Sequence, residues 1–515
     1  MNRYPLGIQT FEEIRKNNQY YVDKTDLIYN IVKGSQNNFL SRPRRFGKSL
    51  LVTTMQAYFE GKKDLFKGLA IEKLEKEWVK YPVIHIDLSS GKYYEVQRIM
   101  STLDFLLSRY ELKYDITPRD LSGFGDRFNN IIQTAAAQTG QKVVVLIDEY
   151  DAPMLDSNAK PELQEQIRSI MRDFFSPLKA NEGLLRFVFL TGITKFSQLS
   201  IFSELNNIKN YSLDDEYGAI CGFTQEEILS TFHEGIHEMA KANGLTIEQT
   251  VAKMKEQYDG YRFTPHCPNI YNPYSVLNAL HDKKFSNYWF ATGTPTFLLE
   301  LLIKNDIEMP QLEGIVATED QFDSPTDNIG NPIPVLYQSG YLTIKDYDEG
   351  IYTLGYPNEE VRMGLNRSML NYIAPQYGLK TTAFAAQFRA AMRKDDINTA
   401  MKVLQSFLAA FPYDIHHNRE DYFQAILFTI FITLGFTIHA EVKTARGRID
   451  LLISTKTTIF VMELKIDQSA AKALEQIDAK DYTLPYKHDG RRIFKVGINF
   501  STEKRTVDEW RYEEA

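Results

Sequence analysis

The chain contains few cysteines and no excess of basic charge. Two cysteines among 515 residues, Cys221 and Cys267, cannot form a disulfide framework, which favours a reducing cytoplasm. The formal net charge of −8 argues against a protein coated with nucleic acid over its whole surface. We therefore expect any DNA site to be local.

Long apolar runs and internal repeats are also missing. The longest apolar run, residues 425–436, is too short to span a bilayer, so we expect a buried helix and no membrane partner. Residues 1–7 lack an apolar signal-peptide core, which predicts a cytoplasmic protein. A chain of 515 residues exceeds one hydrophobic core, so two to four domains are expected.

A possible phosphate-binding loop occupies residues 41–50, between an apolar strand end and a helix-like run. Gly47, Lys48 and Ser49 are typical of the end of such a loop, whose N–H groups surround an oxyanion at a helix N-terminus. Lys48 would reach the β- and γ-phosphates, and the Ser49 hydroxyl would bind Mg²⁺. Arg42 stands where the usual pattern has its first glycine, so a basic turn before a helix remains the alternative.

Two acids follow the apolar run Val143–Ile147, which suits a parallel strand buried on both faces. Asp148 would hold the Mg²⁺ through water, and Glu149 would polarise the attacking water. The alternative is a core strand with two solvated acids at its end.

These motifs give the chain a specific resemblance. It resembles the bacterial AAA-ATPase-like family that is joined to a PD-(D/E)XK nuclease-like domain. The matching segments are residues 21–25 (YVDKT), 42–49 (RPRRFGKS), 147–151 (IDEYD), 258–261 (YDGY), 447–450 (GRID) and 463–465 (ELK). The resemblance implies ATP and Mg²⁺ as cofactors, and Arg42 in place of the first glycine is typical of the family.

The expected nucleotide-binding residues are Arg44, Arg45, Phe46, Gly47, Lys48, Ser49, Leu50, Asp148 and Thr191. Thr191 ends a strand and is a candidate γ-phosphate sensor, although a hydrogen-bonded strand-end hydroxyl is an equal alternative. Arg44 and Arg45 could face phosphate, a neighbouring subunit in a homo-oligomer, or solvent. The chemistry assigns no role to Asp23 or Lys24, for which packing beneath the nucleotide is expected.

The fold predicted for the N-terminal part is a doubly wound parallel α/β sheet of the P-loop NTPase class. Strands at 38–41, 83–88, 143–148 and 187–191 alternate with helices, and ligands bind at the carboxyl ends of such strands. A helical, winged-helix-like middle region follows, in which residues 335–342 and 351–354 are expected to form a helix followed by a hairpin. We expect domains at 1–215 (with a lead-in at 1–38), 216–370 and 371–515.

The C-terminal pattern α-β-β-β-α-β resembles a restriction-endonuclease-like α/β core. Residues two apart on a strand share a face, so Glu463 and Lys465 point together, and Asp450 on the neighbouring strand can meet Glu463. Two carboxylates suit Mg²⁺, and Lys465 would orient water or neutralise phosphate. Glu420 or Glu441 is a candidate additional acid, and Gln476 lies on the following helix. The alternative is a surface hairpin with an ion pair.

The leading hypothesis is an ATP-dependent DNA nuclease whose catalytic residues are Glu149, Asp450, Glu463 and Lys465, with metal ligands Ser49, Asp148, Asp450 and Glu463. Residues 441–505 contain 13 Lys or Arg against 9 Asp or Glu, which fits local phosphate contact. A second hypothesis is a nucleotide-sensing ATPase whose nuclease-like domain only binds nucleic acid or protein. A third, weaker hypothesis is a transcription-like switch. Defence and mobile-element processing are both compatible with the first.

Overall fold

The computed structural model describes residues 3–89, 91–117, 123–157, 160–195, 208–290, 296–305, 307, 309–324, 331–373, 378–408, 427, 429–431, 437–444, 446–504 and 506–515. The chain divides into two compact units. The N-terminal unit comprises Met1–Thr292 and Gly314–Glu360, and the C-terminal unit comprises Gly293–Glu313 and Val361–Ala515.

The α-helices are, in chain order, α1 (Phe11–Lys16), α2 (Thr25–Lys33), α3 (Lys48–Phe59), α4 (Ala70–Leu74), α5 (Val96–Lys113), α6 (Phe124–Thr139), α7 (Ala152–Ser157), α8 (Pro161–Phe175), α9 (Pro177–Ala180), α10 (Gln225–Thr231), α11 (His233–Asn243), α12 (Ile247–Tyr258), α13 (Pro273–Asp282), α14 (Thr296–Lys304), α15 (Glu319–Phe322), α16 (Ile333–Gln338), α17 (Glu359–Ile373), α18 (Gly378–Met392), α19 (Ile397–Leu408) and α20 (Ala470–Ala479).

The strands are β1 (Asn37–Ser41), β2 (Val83–Asp87), β3 (Val143–Asp148), β4 (Leu185–Gly192), β5 (Lys209–Asn210), β6 (Ile315–Thr318), β7 (Thr343–Asp348), β8 (Ile351–Gly355), β9 (Thr437–Thr444), β10 (Gly447–Ser454), β11 (Thr458–Ile466), β12 (Arg492–Ser501) and β13 (Thr506–Glu514).

A parallel sheet forms the centre of the N-terminal unit, with strand order β2-β3-β4-β1-β5. Every residue of β1 and β3 is buried. For β3 this burial agrees with the continuous apolar run Val143–Ile147. The four predicted strands are confirmed to within two residues at each end. Because β1 and β3 both run parallel to β4, which lies between them, the loop after β1 and the acids at the end of β3 emerge at the same edge of the sheet.

The core beside this sheet is built from alternate strand residues and the apolar faces of α5, α6 and α8. A second core joins α10 to α13, and the lead-in residues Tyr4, Tyr20 and Val22 pack against it. Local sequence explains two of these helix starts. Thr224 forms a capping box with Glu227 before α10, and the Asn272 side chain accepts from the Ser275 N–H before α13.

The predicted helix and hairpin of the middle region are present as α16, β7 and β8. Strand β6 extends the hairpin to a three-stranded antiparallel sheet of order β6-β8-β7. Its core contains Phe322, Tyr337, Ile344, Tyr352 and Leu354. Helix α14 is described from Thr296.

The C-terminal unit contains a mixed sheet of order β13-β12-β11-β10-β9. Only the β11–β12 pair is parallel, and the other pairs are antiparallel. Helix α20 packs on β11 and β12, and α19 packs against β13. Helix α20 carries Gln476, as expected, and the edge strand β13 was not predicted from the sequence.

The apolar run near residue 430 is only partly described. Leu427, Thr429, Ile430 and Phe431 are helical and buried, and the rest of the run at 425–436 lies outside the described residues. Within the described part of the chain, no helix combines the length and apolar character needed to cross a membrane.

Candidate nucleotide site and candidate metal site

The loop between β1 and α3 presents the N-terminus of a helix to one edge of the parallel sheet. Gly47 precedes α3 with φ 95°, a left-handed conformation that glycine adopts without strain, and nothing lies within 4 Å of a Cβ built there. Arg45 also has a positive φ, 68°. The first N–H groups of α3 are therefore aimed at the space before the helix, as an anion site requires.

The Lys48 ammonium is buried beneath this loop. Its Nζ lies 3.1 Å from Glu149 Oε1 and donates to the Pro43 carbonyl at 3.3 Å. Glu149 directly follows β3 and has φ 51°, a conformation that costs a non-glycine residue some strain. The structure thus brings together the lysine and the glutamate that the sequence places 101 residues apart.

Asp148 is 2% exposed at the carboxyl end of β3. Burial, followed by the nearby Glu149 carboxylate, raises the pKa of Asp148 to about 7, while the Ser49 hydroxyl and Lys48 act in the opposite direction. Asp148 Oδ1 is buried and has no hydrogen-bond partner among the described residues. A buried carboxylate oxygen beside a serine hydroxyl fits Mg²⁺, which prefers hard oxygen ligands and retains waters or phosphate oxygens as the rest.

The last aspartate of residues 147–151 has a function that the sequence motif alone did not indicate. Asp151 Oδ2 accepts from the N–H groups of Ile193 and Thr194 at 2.9 and 2.7 Å and from Thr194 Oγ1 at 2.9 Å. Burial, and then the charge of Glu149, raises the pKa of Asp151 to about 6. Asp151 therefore fixes the loop that follows β4 to the acids that follow β3.

Thr191 lies at the end of β4 and is fully buried. Its hydroxyl donates to the Leu40 carbonyl of β1 at 2.8 Å. This contact favours the strand-end hydroxyl over the γ-phosphate sensor, the two alternatives for this residue.

The arginines of the loop differ in their environments. Arg42 is 2% exposed and donates to the carbonyls of Ser41, Ser212 and Tyr217, and its guanidinium lies over the Phe263 ring. Arg42 thus anchors the start of the loop. Arg44 and Arg45 are exposed.

A cleft of about 530 Å³ opens at this loop. Its polar lining includes Lys48, Ser49 and Glu149. Its other lining residues come mainly from the lead-in and the second core: Leu6, Gly7, Ile8, Tyr20, Tyr21, Val22, Cys221, Phe223, Phe232 and Leu277. The volume suits a small ligand that has one anionic and one apolar end.

The lead-in thus forms a wall of the cleft, and the structure gives contacts for its two unassigned residues. Asp23 Oδ1 caps α2 at the Thr25 N–H, and Oδ2 accepts from the Ala70 N–H. Lys24 lines the cleft and pairs with Glu227 at 2.5 Å, which ties the lead-in to the first turn of α10. Only the long-range packing reveals this pairing.

The second site lies in the C-terminal unit, where β10 and β11 pair. In the antiparallel register Leu451 pairs with Met462, and these residues are next in sequence to Asp450 on β10 and Glu463 on β11. Asp450 Oδ2 accepts from the Leu464 N–H at 2.8 Å, and Glu463 is 1% exposed. The Leu464 hydrogen bond thus places the Asp450 carboxylate against the strand that carries Glu463.

The Lys465 ammonium lies between two oxygens of this site. It is 3.2 Å from Glu463 Oε1 and donates to the Leu464 carbonyl at 2.9 Å. Gln476 of α20 also donates to Glu463 Oε1. The ammonium bridges a carboxylate and a carbonyl, which are the ligand types that Mg²⁺ prefers, so this donor set fits a divalent cation that competes with Lys465.

A close approach of α20 to the sheet brings Gln476 to the site. Gly497 pairs with Glu463 in the parallel register of β11 and β12. A Cβ at Gly497 would lie 2.3 Å from the Ala470 carbonyl, so only glycine permits this packing. Any larger residue would displace α20 and, with it, Gln476.

The described residues contain no group of three or more His, Cys, Asp or Glu side chains arranged to hold a metal ion. Each candidate cation site offers at most two carboxylates, so water or phosphate would have to complete the coordination. Of the candidate additional acids, Glu420 lies outside the described residues and the side chain of Glu441 is not described.

Comparison with known proteins agrees with this architecture. Residues 5–202 match the family model described as a predicted AAA-ATPase, and residues 418–510 match the PD-(D/E)XK nuclease superfamily. An uncharacterized protein in the vnfD 5′ region of Azotobacter chroococcum mcd 1 is 32% identical over 519 residues, covering 98% of each chain. The chain belongs to the family of predicted AAA-ATPases with a C-terminal domain of the PD-(D/E)XK nuclease superfamily.

Solved structures give a weaker likeness. The ORC2 protein of Aeropyrum pernix in ADPNP–ADP complexes is 11% identical, with a TM-score of 0.27, and the match covers 67% of this chain and 93% of that one. The Cdc6p protein of Pyrobaculum aerophilum is 10% identical, with a TM-score of 0.24, and the match covers 68% and 96%. At these TM-scores the likeness carries no argument, and the fold assignment rests on the strand order.

Proposed function

We propose that the N-terminal unit binds and hydrolyses ATP with Mg²⁺, and that the C-terminal unit cleaves DNA at a Mg²⁺ site formed by Asp450, Glu463 and Lys465. The observation that carries the proposal is the convergence of Lys48, Ser49 and Glu149 on one cleft that also has apolar and aromatic lining residues. The matched family models support the same pair of activities.

In the nucleotide site, we assign the residues to roles by their positions. The N–H groups at the start of α3 bind the phosphates, with Gly47 and Arg45 setting the loop conformation. Mg²⁺ bound by Ser49 and Asp148 would neutralise charge on the phosphate oxygens. Lys48 transfers its ion pair from Glu149 to the phosphates, which frees Glu149 to orient and deprotonate water.

The apolar and aromatic lining of the cleft is suited to a purine base. It contains aromatic and aliphatic side chains from the lead-in and the second core, including Tyr20, Val22 and Phe232. Burying a flat ring against such side chains is favourable, and nearby backbone groups of the lead-in would read its edge.

In the nuclease-like site, a divalent cation held by Asp450 and Glu463 would supply an activated water and stabilise charge on the phosphate. Gln476 holds Glu463 in place from α20. Lys465, which contacts the Glu463 carboxylate in this structure, would be free to neutralise the scissile phosphate or orient the water once a cation held that carboxylate.

One observation favours a second candidate function for this domain. The negative charge of Glu463 is already balanced by the Lys465 ammonium, and Glu463 Oε1 accepts a hydrogen bond from Gln476. A site satisfied in this way could grip nucleic acid or protein without cutting it. In that case the protein would be a nucleotide-sensing ATPase with a binding module.

Two assays on the wild-type chain test the proposal. ATP hydrolysis is measured by phosphate release with Mg²⁺, and cleavage is measured on supercoiled plasmid, single-stranded and branched DNA with Mg²⁺ or Mn²⁺. We expect both activities, and we expect Asp450→Ala to lose cleavage while it keeps ATP hydrolysis. Asp489→Ala, an exposed carboxylate of the same unit, is the matched control. A wild-type protein that binds these DNAs but cuts none of them would select the binding module.

We also propose domain limits at 1–215, 216–370 and 371–515, a cytoplasmic location, and a role in cutting foreign or mobile DNA. Limited proteolysis with mass spectrometry tests the limits, because cleavage should concentrate near residues 215 and 370. Retention of foreign plasmids in cells with wild-type or Asp450→Ala protein tests the role.

A further inference from the structure

Two consecutive arginines of the phosphate loop rest on side chains from distant parts of the N-terminal unit. The Trp289 indole Nε1 donates to the Arg44 carbonyl at 3.1 Å. The Arg45 guanidinium lies over the Tyr274 ring, 4.7 Å from its centroid. The loop backbone at these two residues is therefore supported from outside the loop.

One buried carboxylate holds both supports. Glu360 Oε1 accepts from the backbone N–H of Trp289 at 2.7 Å, and Oε2 accepts from the Ser275 hydroxyl at 2.6 Å. Glu360 is 1% exposed, and Ser275, which follows Tyr274, is fully buried. Because an unpartnered buried carboxylate is costly, these two hydrogen bonds fix Trp289 and the start of α13 relative to each other.

The supports have a reason to exist in this loop. It begins with Arg42 rather than glycine, and the Arg42 side chain is anchored to the Ser212 and Tyr217 carbonyls. Between this anchor and Gly47 the backbone passes through the positive φ of Arg45. A backbone segment keeps an unfavourable conformation only when surrounding residues contact and stabilise it. Trp289 and Tyr274 make these contacts here.

We propose that Trp289 and Glu360 are positioning residues of the nucleotide site. Trp289 holds the backbone of the phosphate loop at Arg44, and Glu360 holds Trp289 and the start of α13, which carries Tyr274. This inference rests on the proposed ATP site. Neither residue touches the phosphates: Trp289 acts through the Arg44 carbonyl, and Glu360 acts through Trp289 and Ser275.

The experiment compares two tryptophan substitutions. Trp289→Phe keeps an aromatic ring and removes the indole donor to Arg44. Trp78→Phe is the matched control, because the Trp78 indole Nε1 is buried and has no hydrogen-bond partner among the described residues. The affinity for ATP with Mg²⁺ is measured by calorimetry in the full chain, together with the thermal unfolding midpoint in the absence of nucleotide.

We expect Trp289→Phe to weaken ATP binding by about fivefold, the effect of losing one hydrogen bond, while Trp78→Phe keeps wild-type affinity. Two further variants test the carboxylate. Glu360→Gln keeps an acceptor for the Trp289 N–H and should bind ATP better than Glu360→Ala. If Trp289 had only a structural role, each substitution would lower the thermal unfolding midpoint. Trp289→Phe and Trp78→Phe would then bind ATP with the same affinity.

Each result has a separate meaning. If wild-type protein fails to bind ATP with Mg²⁺, the proposed ATP site is wrong. If wild-type protein binds ATP and Trp289→Phe binds it equally well, the ATP site stands and the positioning role of Trp289 is wrong. If Glu360→Ala also binds as the wild type does, Glu360 has no positioning role.

Discussion

Lys48 Nζ and Glu149 Oε1 lie 3.1 Å apart, so the lysine expected to bind phosphate is paired with the glutamate expected to activate water. Both side chains are largely buried, at 3% and 19% side-chain exposure. Under the proposed function, a phosphate would compete with Glu149 for the ammonium. Phosphate binding and release of the Glu149 carboxylate would then be one event.

Substitution of the two partners should separate binding from turnover. Lys48→Ala should abolish measurable ATP binding, because it removes the buried cation that pairs with phosphate. Glu149→Gln should retain binding and lower hydrolysis by roughly a hundredfold or more, the usual contribution of a general base. Calorimetry and phosphate release measure the two quantities. Lys63→Ala, an exposed lysine, is the control, and unchanged hydrolysis in both site variants would remove this site from consideration.

Lys465 should compete with the metal in the nuclease-like site. Its ammonium lies between Glu463 Oε1 and the Leu464 carbonyl at 3.2 and 2.9 Å. Lys465→Met should therefore lose DNA cleavage and bind Mn²⁺ at least as tightly as the wild-type protein. Mn²⁺ titration calorimetry measures the affinity, with Asp450→Ala as the variant that should lose binding. Weaker Mn²⁺ binding by Lys465→Met would contradict the competition.

Glu360 should make stability depend on pH. Burial raises the pKa of Glu360 to about 7, while the Ser275 hydroxyl and the Trp289 and Tyr288 N–H groups act in the opposite direction. The folded protein therefore binds the Glu360 proton more tightly than the unfolded chain does. The contribution of this proton to the free energy of unfolding is fully present below pH 4.5 and is lost as pH rises to about 7. At about 1.4 kcal/mol per pKa unit, the whole range corresponds to about 3 kcal/mol.

Urea unfolding between pH 5 and pH 8 measures this effect. The wild-type protein should lose unfolding free energy with rising pH relative to Glu360→Gln, which cannot titrate at this position. Glu359→Gln changes the neighbouring, more exposed carboxylate and is the control. Parallel pH profiles for wild-type protein and Glu360→Gln would show that Glu360 does not titrate in this range.

The nucleotide state should alter DNA affinity. Glu360 is the last residue of the N-terminal unit, and it lies in the first turn of α17, which continues into the C-terminal unit. If the two sites are coupled, ATP and DNA must strengthen each other's binding by the same factor, typically about 5- to 150-fold. DNA affinity of Asp450→Ala protein is measured with a non-hydrolysable ATP analogue, with ADP and without nucleotide.

Lys48→Ala in the Asp450→Ala background is the control for coupling, because it should remove the dependence on nucleotide. Equal DNA affinity in all three nucleotide states would show that the two binding equilibria are independent. The two units would then carry separate activities on one chain.

Local sequence determined much of the fold. The unbroken apolar run Val143–Ile147 predicts a strand buried on both faces, and the capping residues Thr224 and Asn272 predict the starts of α10 and α13. These signals are local because hydrophobic period and capping involve residues a few positions apart. The pairs Gly47–Lys48 and Asp148–Glu149 can likewise be predicted as site residues from their residue types and from their positions near strand ends.

Tertiary structure alone decided which side chains meet across long distances in sequence. Trp289 and Glu360 carry no motif, and their contacts with Arg44 and Ser275 span 245 and 85 residues. Strand β13 is rich in charged residues and is recognisable only by its pairing with β12. Whether Thr191 faces phosphate or the Leu40 carbonyl depends on the register of β1 and β4. The sequence specified the chemistry of each residue, and the packing of distant segments selected its partners. These partners could not be predicted, because residues far apart in sequence leave no local periodicity to detect.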